Sequence, residues 1–232
     1  MIRLKNIKIR ENLSEEQVFK KAISKNKIKP EEVERWYIYK KSIDARKKYD
    51  IFYNYTIDVQ LKNKKKETKF EQVETNEFPS IDVNRKSNYQ PVIIGAGPAG
   101  LFAGLIMVDN GVKPIILERG KQIEERIKDV EEFIQNREFN ITSNIQFGEG
   151  GAGTFSDGKL NTGNSSNAYT IKVLEEFVKF GAPKEILYTA KPHIGTDNLR
   201  NIVKNIREYI ISKGGKVLFN EQVTDFEIKD GK

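Results

Sequence analysis

Val92-Ile-Ile-Gly95-Ala-Gly97-Pro98-Ala99-Gly100 makes three different demands of the backbone in a short span. Pro91 to Ile94 is an apolar run that suits a buried parallel strand. Gly95 supplies the tight turn out of that strand, Gly97 lets the backbone approach a phosphate closely, and Gly100 lets the following helix pack against the strand. Pro98 falls in the first helical turn, where it gives up no hydrogen bond it could have made. The helix is expected to reach about Asn110, where Gly111 ends it, and Lys113-Pro-Ile-Ile-Leu-Glu118 reads as the next strand. Together these make a βαβ unit of about 30 residues, the length a right-handed crossover needs.

Downstream, Ile123, Ile127, Val130 and Ile134 mark an amphipathic helix, and residues 168 to 180 mark another that stops at Gly181-Ala-Pro183. Leu199, Ile202, Val203, Ile206 and Ile210 keep i, i+3, i+4, i+7 spacing in a third. Thr196 and Asp197 are candidate caps for its start, and Gly214-Gly215 closes it. Two strands are expected after it, Lys216 to Phe219 and Val223 to Ile228, followed by the hairpin signal Asp230-Gly231.

Upstream, residues 2 to 9 alternate apolar and basic side chains as a strand does. Ser14 and Gln17 have capping-box spacing ahead of a helix that buries Val18, Phe19, Ala22 and Ile23. Glu34 to Ile43 and Ile51 to Leu61 read as strands, the second aligning Ile51, Tyr53, Tyr55, Ile57 and Val59 on one face. Strand, helix, strand, strand suggests a small ferredoxin-like α+β sandwich over residues 1–61, in which the helix covers one face of the sheet. Residues 62–88 open with Lys62-Asn-Lys-Lys-Lys66 and lack sustained periodicity, so they read as a linker with a short extra strand near Phe70 to Val73. The lysine run is a solvated face rather than a binding site. The fold class is therefore α/β: a ferredoxin-like domain (1–61), a linker (62–88), and an incomplete Rossmann-like dinucleotide-binding domain (89–232).

Composition narrows the function classes. At 38% hydrophobic and 31% charged residues, neither a disordered chain nor a fibre is indicated. Absence of cysteine removes thiolate metal sites and redox dithiols from this stretch, and a reducing cytoplasm is the natural setting. The N-terminus lacks the uninterrupted apolar core of a signal peptide. Val92 to Val108 is uncharged and contains Gly100-x-x-x-Gly104, but falls short of a comfortable membrane span, so no membrane partner is expected. The net charge of +7 is uneven: residues 1–88 hold 22 Lys/Arg against 14 Asp/Glu, and residues 89–232 hold 18 against 19. Trp36, Tyr37, Tyr39, Phe52, Tyr53 and Tyr55 are interleaved with basic residues, which admits a nucleic-acid-binding module. That is the lesser reading, because the glycine-containing aromatic signature of an RNA-recognition strand is missing.

The chemistry concentrates at the glycines. The free amides and positive dipole end of a helix starting at Pro98, Ala99 and Gly100 stabilise phosphate charge without a cationic side chain. Glu118, 18 residues after Gly100 and at the end of the next strand, can accept hydrogen bonds from a ribose. Arg119 is placed to meet a 2'-phosphate, so NAD(P) and FAD both fit the cradle. A second glycine-rich stretch, Ser143-Asn-Ile-Gln-Phe-Gly148-Glu-Gly-Gly-Ala-Gly153-Thr-Phe-Ser-Asp-Gly158-Lys-Leu160, reads either as a flexible surface loop or as a loop whose backbone amides approach a flat or anionic ligand. His193, the one histidine, lies between Pro192 and a helix start and reads as a loop-packing residue. No acid or nucleophile is fixed beside it by sequence, so no catalytic residue is assigned.

Gly95-Ala-Gly-Pro-Ala-Gly100 followed by Glu118-Arg119-Gly120 resembles the FAD-binding start of the glutathione-reductase-like flavoproteins, which have two dinucleotide-binding domains. With Gly148 to Leu160, Lys191-Pro-His-Ile-Gly-Thr-Asp197 and Lys41-Ser-Ile-Asp-Ala-Arg-Lys47, the whole chain resembles a bacterial family of largely uncharacterised FAD-dependent dehydrogenases or oxidoreductases. The resemblance implies FAD as cofactor, NAD(P)H as a candidate electron donor through regions beyond this stretch, and an unknown substrate. It also implies that Gly150, Gly151, Gly153 and Thr154 lie along the flavin or its pyrophosphate, and that Val223 offers backbone hydrogen bonds to adenine. Such a flavoprotein needs further strands and a C-terminal part. The 232 residues are therefore expected to be a truncated or split chain that holds FAD poorly and is catalytically incomplete.

Overall fold

A computed structural model describes residues 1–73, 78–81, 89–160 and 167–228. The protein is mixed α/β, with one antiparallel and one parallel three-stranded sheet, and divides into two compact units. The first comprises residues 1–78, 160–174 and 184–192, the second residues 79–159, 175–183 and 193–232. Segments 160–174 and 184–192, expected with the second region, thus group with the first.

In the first unit β1 (Ile2–Ile9) leads through α1 (Glu15–Lys25) to β2 (Val33–Asp44) and β3 (Phe52–Leu61). The sheet order is β1-β3-β2, and β3 is antiparallel to both neighbours, so β1 and β2 run parallel and the α1 crossover straddles β3. The capping box forms as expected: the Gln17 amide donates to the Ser14 hydroxyl, and the Ser14 amide donates to the Gln17 side chain. Val18, Phe19, Ala22 and Ile23 of α1 meet Ile2, Leu4, Ile7 and Ile9 of β1 and Tyr55, Ile57, Val59 and Leu61 of β3 in one core. Ile51 lies outside β3 and is exposed.

Both edges of this sheet are partly covered. Gln72 bridges Ile2, and the Arg3 amide donates to Glu71 O at 2.9 Å. On the far side, Lys41 of β2 pairs with Tyr188 and Ala190, and the Tyr188 ring joins the core. Residues 62–73 are therefore tied to the sheet. Asn63 caps α2 (Lys64–Glu67), the buried Glu67 carboxylate accepts the Leu61 amide at 2.9 Å, and Lys66 pairs with Glu32. The extra strand expected near Phe70 to Val73 is reduced to the single bridge at Gln72. Most of the remaining linker lies outside the described residues.

Several aromatics of β2 and β3 are used internally, while Tyr37 is exposed. Trp36 stacks on Phe19 with ring centroids 4.4 Å apart, and Tyr55 is in the core. Arg3 lies over Tyr39, Lys8 over Phe52 and Lys41 over Tyr53.

In the second unit β4 (Val92–Ile94), α3 (Pro98–Asp109) and β5 (Ile115–Glu118) form the βαβ unit, with β4 and β5 parallel and in register Val92 to Ile115. α4 (Ile123–Asn136) follows. α5 (Ala168–Lys179) is cut by the division between the units after Leu174. α6 (Thr196–Ser212) leads into β6 (Lys216–Phe219), which adds to β5 in parallel and gives the order β4-β5-β6. Gly104 sets how closely α3 can approach: a Cβ there would stand 2.9 Å from Ile116 Cδ1 and 3.0 Å from Ile210 Cδ1. Among the described residues no helix is long and apolar enough to cross a membrane.

Four expectations are corrected. β4 is parallel but not buried: Val92 and Ile94 are exposed, because the strand lies at the edge of its sheet. α6 starts at Thr196 with Gly195 as its N-cap, at φ 84°, so Thr196 and Asp197 sit inside the first turn and do not cap it. Ile134 is exposed, because the buried stripe of α4 ends at Val130 and its last turn leaves the core. Val223 to Ile228 is not a strand: among the described residues nothing pairs with it, and an extended segment without a ladder partner leaves its amides and carbonyls to water. Asp230-Gly231 falls outside the described residues.

Candidate functional site

The turn after β4 is built from backbone hydrogen bonds. The Gly95 amide, at φ 94°, donates to Leu117 O at 2.7 Å. The Ala96 amide donates to Glu118 Oε2 at 2.7 Å, and Glu118 Oε1 accepts the Gly120 amide at 2.9 Å. Glu118 is buried, yet each carboxylate oxygen keeps a lone pair for another donor. At Gly100 a Cβ would stand 2.0 Å from the Gly95 carbonyl oxygen, so glycine there is a packing requirement of the protein itself. Gly97 differs: its φ is ordinary, and a Cβ would meet nothing within 4 Å. The space beside it is open. The first-turn amides of α3, at Ala99 and Gly100, have no intrahelical acceptor.

The second glycine stretch docks on this turn. The Gly150 amide donates to Ala96 O at 2.8 Å, and a Cβ on Gly151 would lie 3.3 Å from Pro98 Cδ. Together the two loops wall a cleft of about 340 Å³, lined by Gly95, Gly97, Glu118, Arg119, Gly151 and Val223 among the expected residues. Pro98, Ala99, Gly100, Gly150, Gly153 and Thr154 are not in that lining. Thr154 is wholly buried, donating to Gly151 O and accepting from Arg126, so it shapes the loop and does not face the cleft. His193 is exposed, outside the lining, and its ring contacts Asp157 O.

The residues that hold the loop in place were not anticipated from sequence. Arg126 of α4 is completely buried: Nε donates to Asn144 O at 2.7 Å, Nη2 to Ile145 O at 2.9 Å, and Nη1 to Glu149 O at 2.7 Å and Gly151 O at 2.9 Å. Burial pulls its pKa down to about 10, with Glu118 and Glu149 opposing, so it stays cationic at neutral pH. Gly148 accommodates it, since a Cβ there would stand 2.5 Å from Arg126 Cδ. Glu149 is also fully buried; its Oε2 accepts the Ile123 amide and Arg207 Nη1, both at 2.7 Å, while Oε1 has no hydrogen-bond partner among the described residues. Arg207 of α6 further grips Glu124 of α4 at 2.8 Å. One signal was available: Arg126 shares the stripe of Ile123 and Val130, and Arg207 that of Val203 and Ile210. A charge on a buried stripe calls for buried acceptors.

These carboxylates respond to pH in opposite senses. Burial raises Glu149 from 4.5 to about 7, against the pull of Arg207. A raised carboxyl contributes stability that is complete below its ordinary pKa and lost as pH climbs through the folded value. For Glu124, burial works upward, but hydrogen bonds from Arg207 and Lys204 prevail and hold it at about 2, so its contribution is lost in acid. The thermal midpoint is therefore expected to fall between pH 4.5 and 7, by an amount equivalent to at most about 3 kcal/mol from Glu149. Glu149→Gln should flatten that limb, and a midpoint that rises over the same interval would contradict the assignment.

Residues 1–60 match the family model described as a domain of unknown function, DUF8436. The chain is also 42% identical over 240 residues to a protein of Clostridium beijerinckii described as uncharacterized. That similarity covers all of this chain and 44% of the relative, so the chain spans less than half the relative's length.

Proposed function

We propose that residues 89–232 are the N-terminal part of a Rossmann-like FAD-binding domain in an oxidoreductase, and that residues 1–61 form a ferredoxin-like α+β domain attached to it. The observation carrying this reading is the open space beside Gly97, at the N-terminus of α3, in a cleft that the Glu118 carboxylate also lines. The amides and helix dipole suit a pyrophosphate, and the spare lone pairs of Glu118 suit the hydroxyls of a ribose. Gly151, against Pro98, forms part of the wall of the same cleft. Flavin, when bound, supplies the hydride or electron transfer, and the protein contributes binding, orientation and electrostatics. NAD(P)H is the proposed electron donor, acting through parts beyond this chain, in a cytoplasmic setting with a substrate of unassigned class. The nucleic-acid reading of the first unit loses support from Trp36 and Tyr55, whose rings are taken by the core.

Titration with FAD, followed by flavin fluorescence, is expected to give weak but saturable binding. Gly97→Val should abolish it, because the new side chain projects into the open space beside Gly97, and the variant's far-ultraviolet spectrum should stay that of the folded chain. Undiminished FAD binding in Gly97→Val, or none in the unmodified chain, would overturn the proposal.

A further inference from the structure

Glu149 is ionisable and wholly enclosed, and it stands in the loop whose residues Gly148 and Gly151 line the cleft. Its amide donates to Lys121 O at 3.1 Å, and the next amide, that of Gly150, holds the loop on the turn at Ala96 O. Lifting the loop off that turn would carry the Glu149 carboxyl into water, and docking it again would strip the water away.

The groups that face this carboxyl only partly replace that water. From α6 comes Arg207, whose Nη1 donates to Glu149 Oε2 at 2.7 Å but also to Glu124 at 3.1 Å, while its Nη2 is taken by Glu124 at 2.8 Å. From α4 come the Ile123 amide, the Glu124 carboxylate shared with Lys204, and Arg126, which attracts Glu149 through space but gives its N–H groups to carbonyls and to Thr154. From β5 comes a further carboxylate, Glu118. Oε1 has no hydrogen-bond partner among the described residues. An ionised carboxylate with a buried, unsatisfied oxygen is the costlier form, and one proton on that oxygen removes the charge.

We propose that a single proton on Glu149, taken from bulk water, latches the glycine loop against the turn at Ala96, so that this wall of the cleft is held firmly when the proton is bound and loosens when it leaves. The latch is independent of what the cleft binds and does not rest on the dinucleotide reading.

The direction follows from burial. In the open loop the carboxyl titrates at its ordinary 4.5, and in the docked loop burial raises it to about 7, so docking takes up a proton between those values. Below that window both forms hold the proton and docking is firmest. Rising pH then favours opening, up to about ten-fold per unit and about 300-fold in all, and above the window the trend stops. Glu124, held at about 2, does not titrate in this range.

The test is amide exchange of the 232-residue chain by NMR, expressed as protection factors so that the intrinsic pH dependence of exchange is divided out. Between about pH 5 and about pH 8 the Gly150 amide should lose up to about 100-fold in protection, and Glu149→Gln, a neutral isostere of the protonated acid, should abolish that loss. The amides of β5 should stay better protected than Gly150 throughout. The carboxyl carbon shift of Glu149 in the unmodified chain needs no variant and should titrate with a midpoint near 7. A midpoint at the ordinary carboxylate value, a Gly150 protection independent of pH, or a pH dependence that persists in Glu149→Gln overturns the latch. Equal protection of Gly150 and β5 would show that the unit opens as a whole, and overturns it too.

Discussion

Replacing Arg126 by Leu is expected to lower the stability of the second unit by about 3–5 kcal/mol, the cost of breaking a buried charged network by removing one member. Leucine fills part of the space and offers no donors. The carbonyls of Asn144, Ile145, Glu149 and Gly151 would then be left buried without their hydrogen bonds. Arg126→Lys keeps the charge but cannot reach carbonyls on several sides, so it should recover only part of the loss. Denaturant unfolding gives the size of the effect, and amide exchange over residues 144–154 gives its location. A midpoint within error of the unmodified protein for Arg126→Leu would show that the guanidinium does not organise the loop.

Gly100→Ala is the second large effect. Its Cβ would be built 2.0 Å from the Gly95 carbonyl oxygen, a backbone atom that cannot swing aside. Either the turn opens or α3 retreats from β4, and overpacking of this kind typically costs about 1–3 kcal/mol, sometimes more. Gly97→Ala provides the contrast. With an ordinary φ and nothing within 4 Å there is no clash to relieve, and it should cost no more than about 1 kcal/mol, from the poorer N-cap that alanine makes. Thermal melts of the two variants side by side suffice, and equal stability would refute the packing role assigned to Gly100.

What could be read from sequence was mostly local. The Ser14 capping box, the α6 stripe and the strand-turn-helix at Gly95 to Gly100 each depend on residues a few positions apart, and each appears where its spacing placed it. Val223 to Ile228 has a strand-like pattern, but a strand exists only through a neighbour, and its own sequence cannot supply one. The same limit hid the loop's supports. Arg126 and Glu149 are 23 positions apart and carry opposite charges, a description that fits surface residues equally well. Only the folded glycine stretch brings its carbonyls round the guanidinium. The contact of the Arg119 guanidinium with the Phe147 ring likewise joins the end of a strand to a distant loop. Glu118 was accessible because its position at the end of the second strand of a βαβ unit is fixed by local order. That its two oxygens are already held by the Ala96 and Gly120 amides was not.

β4 bonds to β5 along one side, and among the described residues no strand lies along its other side. Val92 and Ile94 on it are 56% and 65% exposed. An apolar strand with an open hydrogen-bonding side can template an extended segment that meets it; here only its three-residue length and Pro91 at its entrance restrain such pairing. The strand that presents the glycine turn is thus also an open edge of its sheet, and one extended segment laid along it would pair the backbone groups on that side.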